Sequence, residues 1–339
     1  MATTIKDIAK RVGVNPSTVS RVINGTASIS EETKQKIKEA MEEMNYHPNS
    51  NARSLVNGST FTIGLVIDAQ NSDAFSNDFF IRSVSAIEAV TQERGFNLLI
   101  CSDRTQQNGN AVKNLILEKK VDGILLPVSV ITDELIDLLL NNSFPFVIMG
   151  EPDFVRDEIF WVDIDNRQGG QNAVEHLFKK GYMQPALLAE NRNTMFERKR
   201  ILGFQTAMAL KEVSCSEKNI IECGSERESI QKAVDKILES EQAFDSIICI
   251  NNDVAYHTIR ELKERGKKVP VDFGIVTFDN YPLAEYMEPP LSVVDIDTYK
   301  LGEEAAKALF SIIKEPETQK KTVLVPTKII ERDSTKKGE

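Results

Sequence analysis

Residues 4–24 have the sequence TIKDIAKRVGVNPSTVSRVIN, and this pattern determines how the N-terminal part of the chain folds. Its first half has apolar residues at the spacing of one helical face: Ile5, Ile8, Ala9 and Val12. Gly13 then allows the left-handed turn that lets a second helix cross the first steeply. Pro16 suits the first position of that second helix. The stretch therefore predicts two short helices joined by a tight turn.

A third helix is expected to follow. It begins after Ser30, a good N-cap, and ends before Pro48. Several side chains face inward in the second and third helices: Val19, Val22, Ile23, Ile37, Ala40, Met41 and Met44. Three helices within residues 1–48 are typical of a minimal DNA-binding domain.

The charge of the chain is unevenly distributed. The net charge is −10, but residues 1–60 contain eight Lys/Arg and six Asp/Glu. Within residues 1–30 there are four basic residues and one acidic residue, Asp7. A basic head on an acidic body orients itself on a polyanion. The net positive charge of residues 1–60 is small, so the prediction of DNA binding depends on the pattern of residues rather than on charge.

From residue 61 onward, apolar runs alternate with amphipathic segments. Buried parallel strands are predicted at 61–67, 96–102, 121–128, 144–150, 161–165, 185–190, 220–224, 245–251, 273–279 and 291–297, and residues 322–331 close the chain. Predicted helices lie between the strands. Two successive sets of this kind predict an α/β fold with two doubly wound parallel-sheet lobes. Ligands of such sheets bind at the carboxyl ends of strands, so the crevice between the lobes is the expected pocket.

Composition argues against several classes of protein. The sequence contains no run of about 18 apolar residues, so no membrane span is expected. The N-terminus lacks the apolar core of a secretory signal. The four cysteines have no C-x-x-C spacing and are expected to be reduced, buried thiols of a cytoplasmic protein. The three histidines are scattered, and no G-x-S-x-G, Walker or G-x-G-x-x-G motif occurs. We therefore expect no enzyme, no metal and no cofactor.

Taken together, the motifs resemble the lactose/galactose repressor (LacI/GalR) family of bacterial transcription regulators over essentially the whole chain. The shared motifs are residues 4–24, 53–55, 200–204, 252–253 and 274–279. The resemblance implies a helix-turn-helix head (1–48) and a hinge helix with linker (49–60). It also implies a periplasmic-binding-protein-like sensor, with an N-terminal lobe (61–162 plus 293–322) and a C-terminal lobe (163–292 plus 323–334).

In that family, side chains at the start of the second helix contact bases of a pseudo-palindromic operator. The matching residues here are Pro16, Ser17 and Arg21. Arg21 can donate two hydrogen bonds to a guanine, which discriminates by about 1–3 kcal/mol. The alternative for Arg21 is a solvated surface arginine. Four further residues are predicted to contact phosphates or to cap helices: Thr4, Thr18, Ser20 and Asn24.

The hinge segment 49–57 is too short and polar to form a stable helix alone in water. The resemblance implies that it becomes helical on operator DNA, with Asn51, Ala52 and Arg53 at the DNA and Leu55 wedged into the minor groove. The alternative for Leu55 is packing against its own sensor. Separation of the sensor lobes would then melt the hinges and release DNA.

The resemblance also implies an effector pocket. Arg200 matches an arginine that binds ligand hydroxyls or carboxylates, Asp279 matches a carboxylate that accepts hydroxyls, and Asn252 matches a polar contact or a helix cap. After the first sensor strand, Asp68 and Asn77 are expected as polar contacts and Phe75 as a stacking ring.

The sequence of residues 75–80 resembles that of the maltose-operon regulators of Gram-positive bacteria. This resemblance implies a maltose-type α-glucoside as the effector. The alternatives are a catabolite-control regulator that responds to a partner protein or a sugar phosphate, an activator, and an enzyme or transport protein on the same scaffold. Because the C-terminus has no leucine heptad, a homodimer is expected.

Overall fold

The computed structural model describes residues 3–24, 29–46, 58–68, 78–103, 110–154, 158–316 and 322–337. The head contains α1 (Ile5–Val12), α2 (Pro16–Asn24) and α3 (Glu31–Glu43).

The three helices of the head enclose a small apolar core. Ile8 of α1, Val19 of α2 and Ile37 of α3 are fully buried in it. Gly13 ends α1 with a φ of 75°, which confirms the predicted left-handed turn. The hydroxyl of Ser30 accepts a hydrogen bond from the Thr33 amide, so the predicted N-cap of α3 is also confirmed.

The first sensor lobe is built on a six-stranded, all-parallel sheet with the strand order β2-β1-β3-β4-β5-β11. Its strands are β1 (Thr62–Asp68), β2 (Asn97–Asp103), β3 (Gly123–Pro127), β4 (Phe146–Met149), β5 (Trp161–Ile164) and β11 (Val323–Val325). Its helices are α4 (Asp78–Glu93), α5 (Asn110–Leu117), α6 (Asp133–Asn141) and α12 (Thr298–Lys314).

The second sensor lobe has a six-stranded sheet with the order β7-β6-β8-β9-β10-β12, in which only β12 is antiparallel to its neighbour. Its strands are β6 (Pro185–Ala189), β7 (Ile220–Glu222), β8 (Ser246–Cys249), β9 (Gly274–Phe278), β10 (Ser292–Ile296) and β12 (Thr327–Ile330). Its helices are α7 (Asn166–Lys179), α8 (Met195–Leu210), α9 (Arg227–Leu238), α10 (Asn252–Glu264) and α11 (Leu283–Tyr286). The expected pair of doubly wound lobes is therefore present.

The chain passes between the lobes a few residues later than expected. Strand β10 belongs to the second sheet, although the expected boundary at residue 293 assigned it to the first lobe. Strand β11 belongs to the first sheet, although residues from 323 onward were expected in the second. The physical reason is that β10 pairs with β9, whereas the following helix α12 packs against α4 and β5. The crossing from the second lobe back to the first therefore lies at Asp297, between strand β10 and helix α12.

Helices α7 and α8 pack backbone to backbone. A Cβ atom on Gly170 would lie 2.1 Å from the carbonyl oxygen of Arg200, and one on Gly203 would lie 2.0 Å from that of Arg167. Only glycine fits at such distances, because any side chain would force the helices apart. This close approach brings the first turn of α7 beside Arg200.

Two expectations from composition concern exposure to solvent or lipid. In the described parts of the chain, no helix combines the length and the apolar character needed to cross a membrane. All four cysteines are free, and Cys223 and Cys249 are buried as expected. Cys101 and Cys215 are partly exposed, so burial was the wrong expectation for these two.

Candidate DNA-binding helix and interlobe site

Helix α2 presents the predicted base-reading residues on its surface. Pro16, Ser17 and Arg21 are exposed, and Ser17 and Arg21 share a face because they lie four residues apart. Among the described residues, no carboxylate forms an ion pair with Arg21, which leaves its guanidinium available to an anionic partner. Thr18 and Ser20 are partly buried. The geometry permits α2 to meet a groove with this face.

Thr4 is engaged at the start of α1. Its amide and its hydroxyl donate to the Asp7 carboxylate at 2.9 and 2.7 Å. These bonds lower the pKa of Asp7. Of the two roles predicted for Thr4, the helix cap is the one with contacts inside the protein.

Some predicted contact residues fall outside the described part of the chain. Asn24 ends α2, but its side chain is not among the described ones. The remaining residues of this group are Asn51, Ala52, Arg53, Leu55, Phe75 and Asn77. Their predicted roles stay predictions.

Arg200 lies at the centre of the candidate interlobe site. Its side chain is buried, with 5% of the residue exposed. Its Nε donates to Asn166 Oδ1 at 3.0 Å, and its Nη1 donates to the carbonyl of Ile250 at 2.7 Å. Its guanidinium carbon lies 4.0 Å from the centre of the Phe278 ring. The guanidinium is therefore held in one position, with Nη2 left to face Asp279.

Asp279 directly follows strand β9 at its carboxyl end. It is 8% exposed, and its Oδ1 lies 3.9 Å from Arg200 Nη2, an ion-pair distance that is too long for a hydrogen bond. This Oδ1 is buried without a hydrogen-bond partner among the described residues. Burial raises the pKa of Asp279 to about 6, although Arg200 opposes the shift. Its φ of 71° is a strained conformation of the kind that occurs at functional sites.

Asn252 joins helix α10 to the same strand end. Its Nδ2 donates to the carbonyls of Phe278 and Asp279 at 3.2 and 2.9 Å. Its Oδ1 is buried and has no hydrogen-bond partner within the described residues. The N-cap of α10 is Asn251, which accepts from the Val254 amide at 2.9 Å. The alternative of Asn252 as the helix cap is therefore wrong.

The structure thus brings Arg200, Asn252 and Asp279 together, as predicted from sequence. Asp68 is the last residue of β1, at the carboxyl edge of the first sheet. Arg200 and two buried oxygens that have no hydrogen-bond donor within the described residues, Asp279 Oδ1 and Asn252 Oδ1, are groups that can bind a neutral ligand carrying both donors and acceptors.

Four further residues of the site were missed from sequence, and two of them, Asn166 at the start of α7 and Asp163 in the first lobe, connect Arg200 to strand β5. Asn166 accepts from the guanidinium, and Asp163 accepts in turn from the Asn166 amide. No motif contains either residue, and the signal available for them was their position at the carboxyl end of the predicted strand 161–165.

The other two missed residues lie on α8 near Arg200. Glu197, 2% exposed, accepts from the amides of Glu190 and Asn191 at 3.0 Å. Burial raises the pKa of Glu197 to about 7. Phe196 is 41% exposed, and its ring centre lies 5.1 Å from the Arg200 guanidinium. A helical spacing of three or four residues from Arg200 was the signal available for both.

Comparisons with known proteins cover both parts of the molecule. Residues 4–49 match the model of bacterial regulatory proteins of the lacI family, and residues 174–335 match a periplasmic binding protein-like domain. The HTH-type transcriptional repressor PurR of Vibrio atlanticus is 32% identical over 338 residues, which cover 98% of each chain.

Two solved structures extend the likeness. The complex of the transcriptional regulator CelR with cellobiose has a TM-score of 0.72 at 27% identity and covers 98% of this chain and 99% of that one. The probable maltose operon transcriptional repressor malR of Staphylococcus aureus has a TM-score of 0.72 at 25% identity. It covers 83% of this chain and 99% of its own. The predicted resemblance to maltose-operon regulators is thereby confirmed as a likeness of sequence and structure.

The 32% identity to a repressor over 98% of the chain, together with the two matched domains, establishes the family. The relatives and solved structures named above are transcriptional repressors and regulators. The chain belongs to the lacI family of bacterial regulatory proteins and is a DNA-binding transcriptional regulator.

Proposed function

We propose that this regulator is a homodimeric repressor of carbohydrate-utilisation genes, and that a small sugar bound between the sensor lobes controls its affinity for a pseudo-palindromic operator. The observation that carries the proposal is the pairing of buried Arg200 with two buried oxygens that have no hydrogen-bond donor among the described residues, Asp279 Oδ1 and Asn252 Oδ1.

The chemistry of these three groups favours a ligand rich in hydroxyls. A hydroxyl donates one hydrogen bond and accepts others, so vicinal hydroxyls can serve Asp279 and Arg200 at once. A buried acceptor without a donor costs about 1–3 kcal/mol, which a bound ligand would recover. The exposed ring of Phe196, against the Arg200 guanidinium, offers an apolar face to a pyranose. The likeness to the CelR–cellobiose complex and to malR also supports a glucoside, and we favour a maltose-like α-glucoside.

A purine base is the second candidate. Its N–H groups can also donate to Asp279 and Asn252, and its flat ring can also stack on Phe196. The name PurR of the relative that is 32% identical over the full length is the specific observation in its favour.

Calorimetric titration of the purified protein separates these candidates. The panel consists of maltose, cellobiose, glucose, glucose 6-phosphate, hypoxanthine and guanine. We expect heat of binding for an α-glucoside, and its loss in Asp279→Asn. Binding of a purine but no sugar would select the second candidate. Binding of none of them, with operator affinity altered by a phosphocarrier protein, would overturn the small-effector proposal.

For DNA recognition, we infer that α2 enters the major groove with Arg21 on a guanine and Ser17 beside it. Pro16 would contact a thymine methyl group. The predicted phosphate contacts Thr18, Ser20 and Asn24 lie on the same short helix and would set its register without reading sequence.

The hinge proposal concerns residues 49–57, with Leu55 as the minor-groove wedge. Footprinting and affinity measurements on Leu55→Ala test it. A wedge predicts a loss of operator affinity that far exceeds the loss on random DNA, whereas equal losses on both would overturn the role.

The dimer is supported by the edge strand of the first sheet as the described residues form it. Strand β2 lies at that edge, and its Leu99 and Ile100 are 38% and 37% exposed. The flanking helices α4 and α5 add the exposed Ile81 and Leu117. An isologous dimer would cover this apolar patch. Sedimentation of Leu99→Asp beside the wild type tests the surface: we expect a dimer for the wild type and dissociation for the variant. A monomeric wild type would contradict the proposal.

A further inference from the structure

A line of hydrogen bonds runs from the first lobe to the guanidinium of Arg200. It begins at Asp163 in β5, whose Oδ2 accepts from the Glu151 amide at 3.0 Å and from Asn166 Nδ2 at 3.4 Å. The Oδ1 of Asp163 accepts from the Ile164 amide at 2.7 Å. Asn166 Oδ1 then accepts from Arg200 Nε at 3.0 Å. Asp163 of the first lobe is therefore linked to Arg200, on helix α8 of the second lobe, through the side-chain amide of Asn166.

The orientation of that amide depends on Asp163. Asn166 Nδ2 donates to Asp163 and to the carbonyl of Ile164 at 3.2 Å, and this leaves Oδ1 for Arg200. If the amide were turned by 180°, its NH₂ would meet the N–H of Arg200, donor against donor. Ionised Asp163 and the Ile164 carbonyl both offer only acceptors to Asn166 Nδ2, so together they select the orientation that receives Arg200. A neutral amide at position 163 would remove the charged acceptor and weaken that selection.

The same part of the first lobe contacts the neighbouring residue of α8. Glu151 follows β4, its amide donates to Asp163, and its carboxylate lies 2.6 Å from Lys199 Nζ. Lys199 directly precedes Arg200 in the chain. The loop after β4 is thus connected to the helix of Arg200 directly, by Glu151 and Lys199, and indirectly, through Asp163 and Asn166. A change in the distance between the lobes would act on both.

We propose that Asp163 is a positioning residue that fixes the Asn166 amide and thereby sets the guanidinium of Arg200 for the effector. The effector itself is part of the proposed function above, but the orientation of Arg200 can be measured without any ligand. Failure of one proposal can therefore be told apart from failure of the other.

The test is ¹⁵N NMR of the arginine Nε–Hε groups in the full chain, with the Arg200 signal assigned by its absence in Arg200→Lys. In the wild type we expect a signal protected from solvent exchange. In Asp163→Asn we expect exchange to be faster by a factor of about ten or more, as for the loss of one charge-assisted hydrogen bond. Glu228→Gln is the matched control, because it also replaces a carboxylate by an amide but at an exposed position. It should leave the Arg200 signal unchanged.

Asp163→Glu is the conservative variant, because it keeps a carboxylate that only accepts hydrogen bonds. Its Arg200 signal should be better protected than that of Asp163→Asn. Wild-type protection in Asp163→Asn, or protection in Asp163→Glu no better than in Asp163→Asn when both are folded by circular dichroism, would overturn the positioning role.

Titration with maltose adds a second readout. We expect Asp163→Asn to weaken maltose binding about tenfold, whereas Glu228→Gln should not change it. If maltose does not bind the wild type, the proposed effector fails and the Nε measurement alone decides the role of Asp163.

Discussion

Replacement of Arg200 by methionine removes the buried cation and keeps an unbranched side chain that is apolar throughout. In the structure this leaves Asn166 Oδ1 and the Ile250 carbonyl without their donors. It also leaves the Asp279 carboxylate, 8% exposed, without the cation at 3.9 Å. The change therefore tests whether these groups form one electrostatic unit.

The expected cost follows from the loss of one partner of a buried pair, which is about 3–5 kcal/mol. The two abandoned acceptors overlap with this figure and are not added to it. Asp279 can recover part of the cost by taking up a proton, because its pKa is already raised to about 6 by burial. One further unit of pKa would correspond to about 1.4 kcal/mol.

The sign of the pH dependence follows from this raised pKa. Between the ordinary pKa of 3.8 and about 6, folded Asp279 binds more protons than the unfolded chain does. Its contribution to the free energy of unfolding therefore falls as pH rises through this window. Without Arg200 the pKa rises further, so the penalty of Arg200→Met should be smaller at pH 5 than at pH 7.5.

The assay is urea unfolding followed by circular dichroism at pH 5 and pH 7.5. The proteins are the wild type, Arg200→Met, Arg200→Met/Asp279→Asn and the control Arg198→Met, an exposed arginine on the same helix. We expect a loss of about 3–5 kcal/mol for Arg200→Met at pH 7.5, and recovery of at least about 1 kcal/mol when Asp279 is also neutralised. If Arg200→Met costs no more than Arg198→Met, or if the second change recovers nothing, the reasoning is refuted.

Three further predictions concern recognition, packing and pH. Arg21→Ala should lose about 1–3 kcal/mol of discrimination between operator and a guanine-substituted site, measured by gel shift at fixed salt, whereas an equal loss on both sites would contradict base reading. Gly203→Ala should lower stability by at least about 2 kcal/mol in a thermal melt, because its Cβ would lie 2.0 Å from the Arg167 carbonyl; an unchanged melt would refute the close packing. Effector affinity, measured by calorimetry at pH 5 and pH 7.5, should be weaker at pH 5, since protonated Asp279 accepts hydroxyls poorly; an equal affinity at both pH values would contradict the role of Asp279.

Most of the secondary structure was predictable because its signals are local. The turn at Gly13, the cap at Ser30 and the start of α2 at Pro16 each depend on the chemistry of one residue. The buried strands were predictable because a short, continuous apolar run bounded by polar residues is typical of a strand covered on both faces.

The lobe to which a strand belongs was not predictable in the same way. Strands β10 and β11 are both short and apolar, and nothing in their residues tells which sheet they join. That choice depends on the packing of α12 against α4, which involves residues more than 200 positions apart, such as Ser83 and Thr298.

The candidate site shows the same division. Arg200, Asn252 and Asp279 stand at strand ends or in a shared motif, so sequence pointed to them. Asp163 and Asn166 also stand at a predicted strand end but belong to no motif, and the hydrogen bond of Asn166 to Arg200 depends on the close glycine contacts of α7 and α8. Such a role depends on distances that spacing along the chain does not specify.

In the proposed function, a ligand bound at Arg200 and Asp279 changes the affinity of the N-terminal helical domain for operator DNA. The most direct test is the operator affinity of wild type and Asp279→Asn, measured by fluorescence anisotropy with and without saturating α-glucoside. We predict that the sugar changes the operator Kd of the wild type at least about tenfold, as an allosteric coupling of about 1.4 kcal/mol requires, and leaves that of Asp279→Asn unchanged. An operator Kd that responds equally in both proteins, or in neither, would contradict the account.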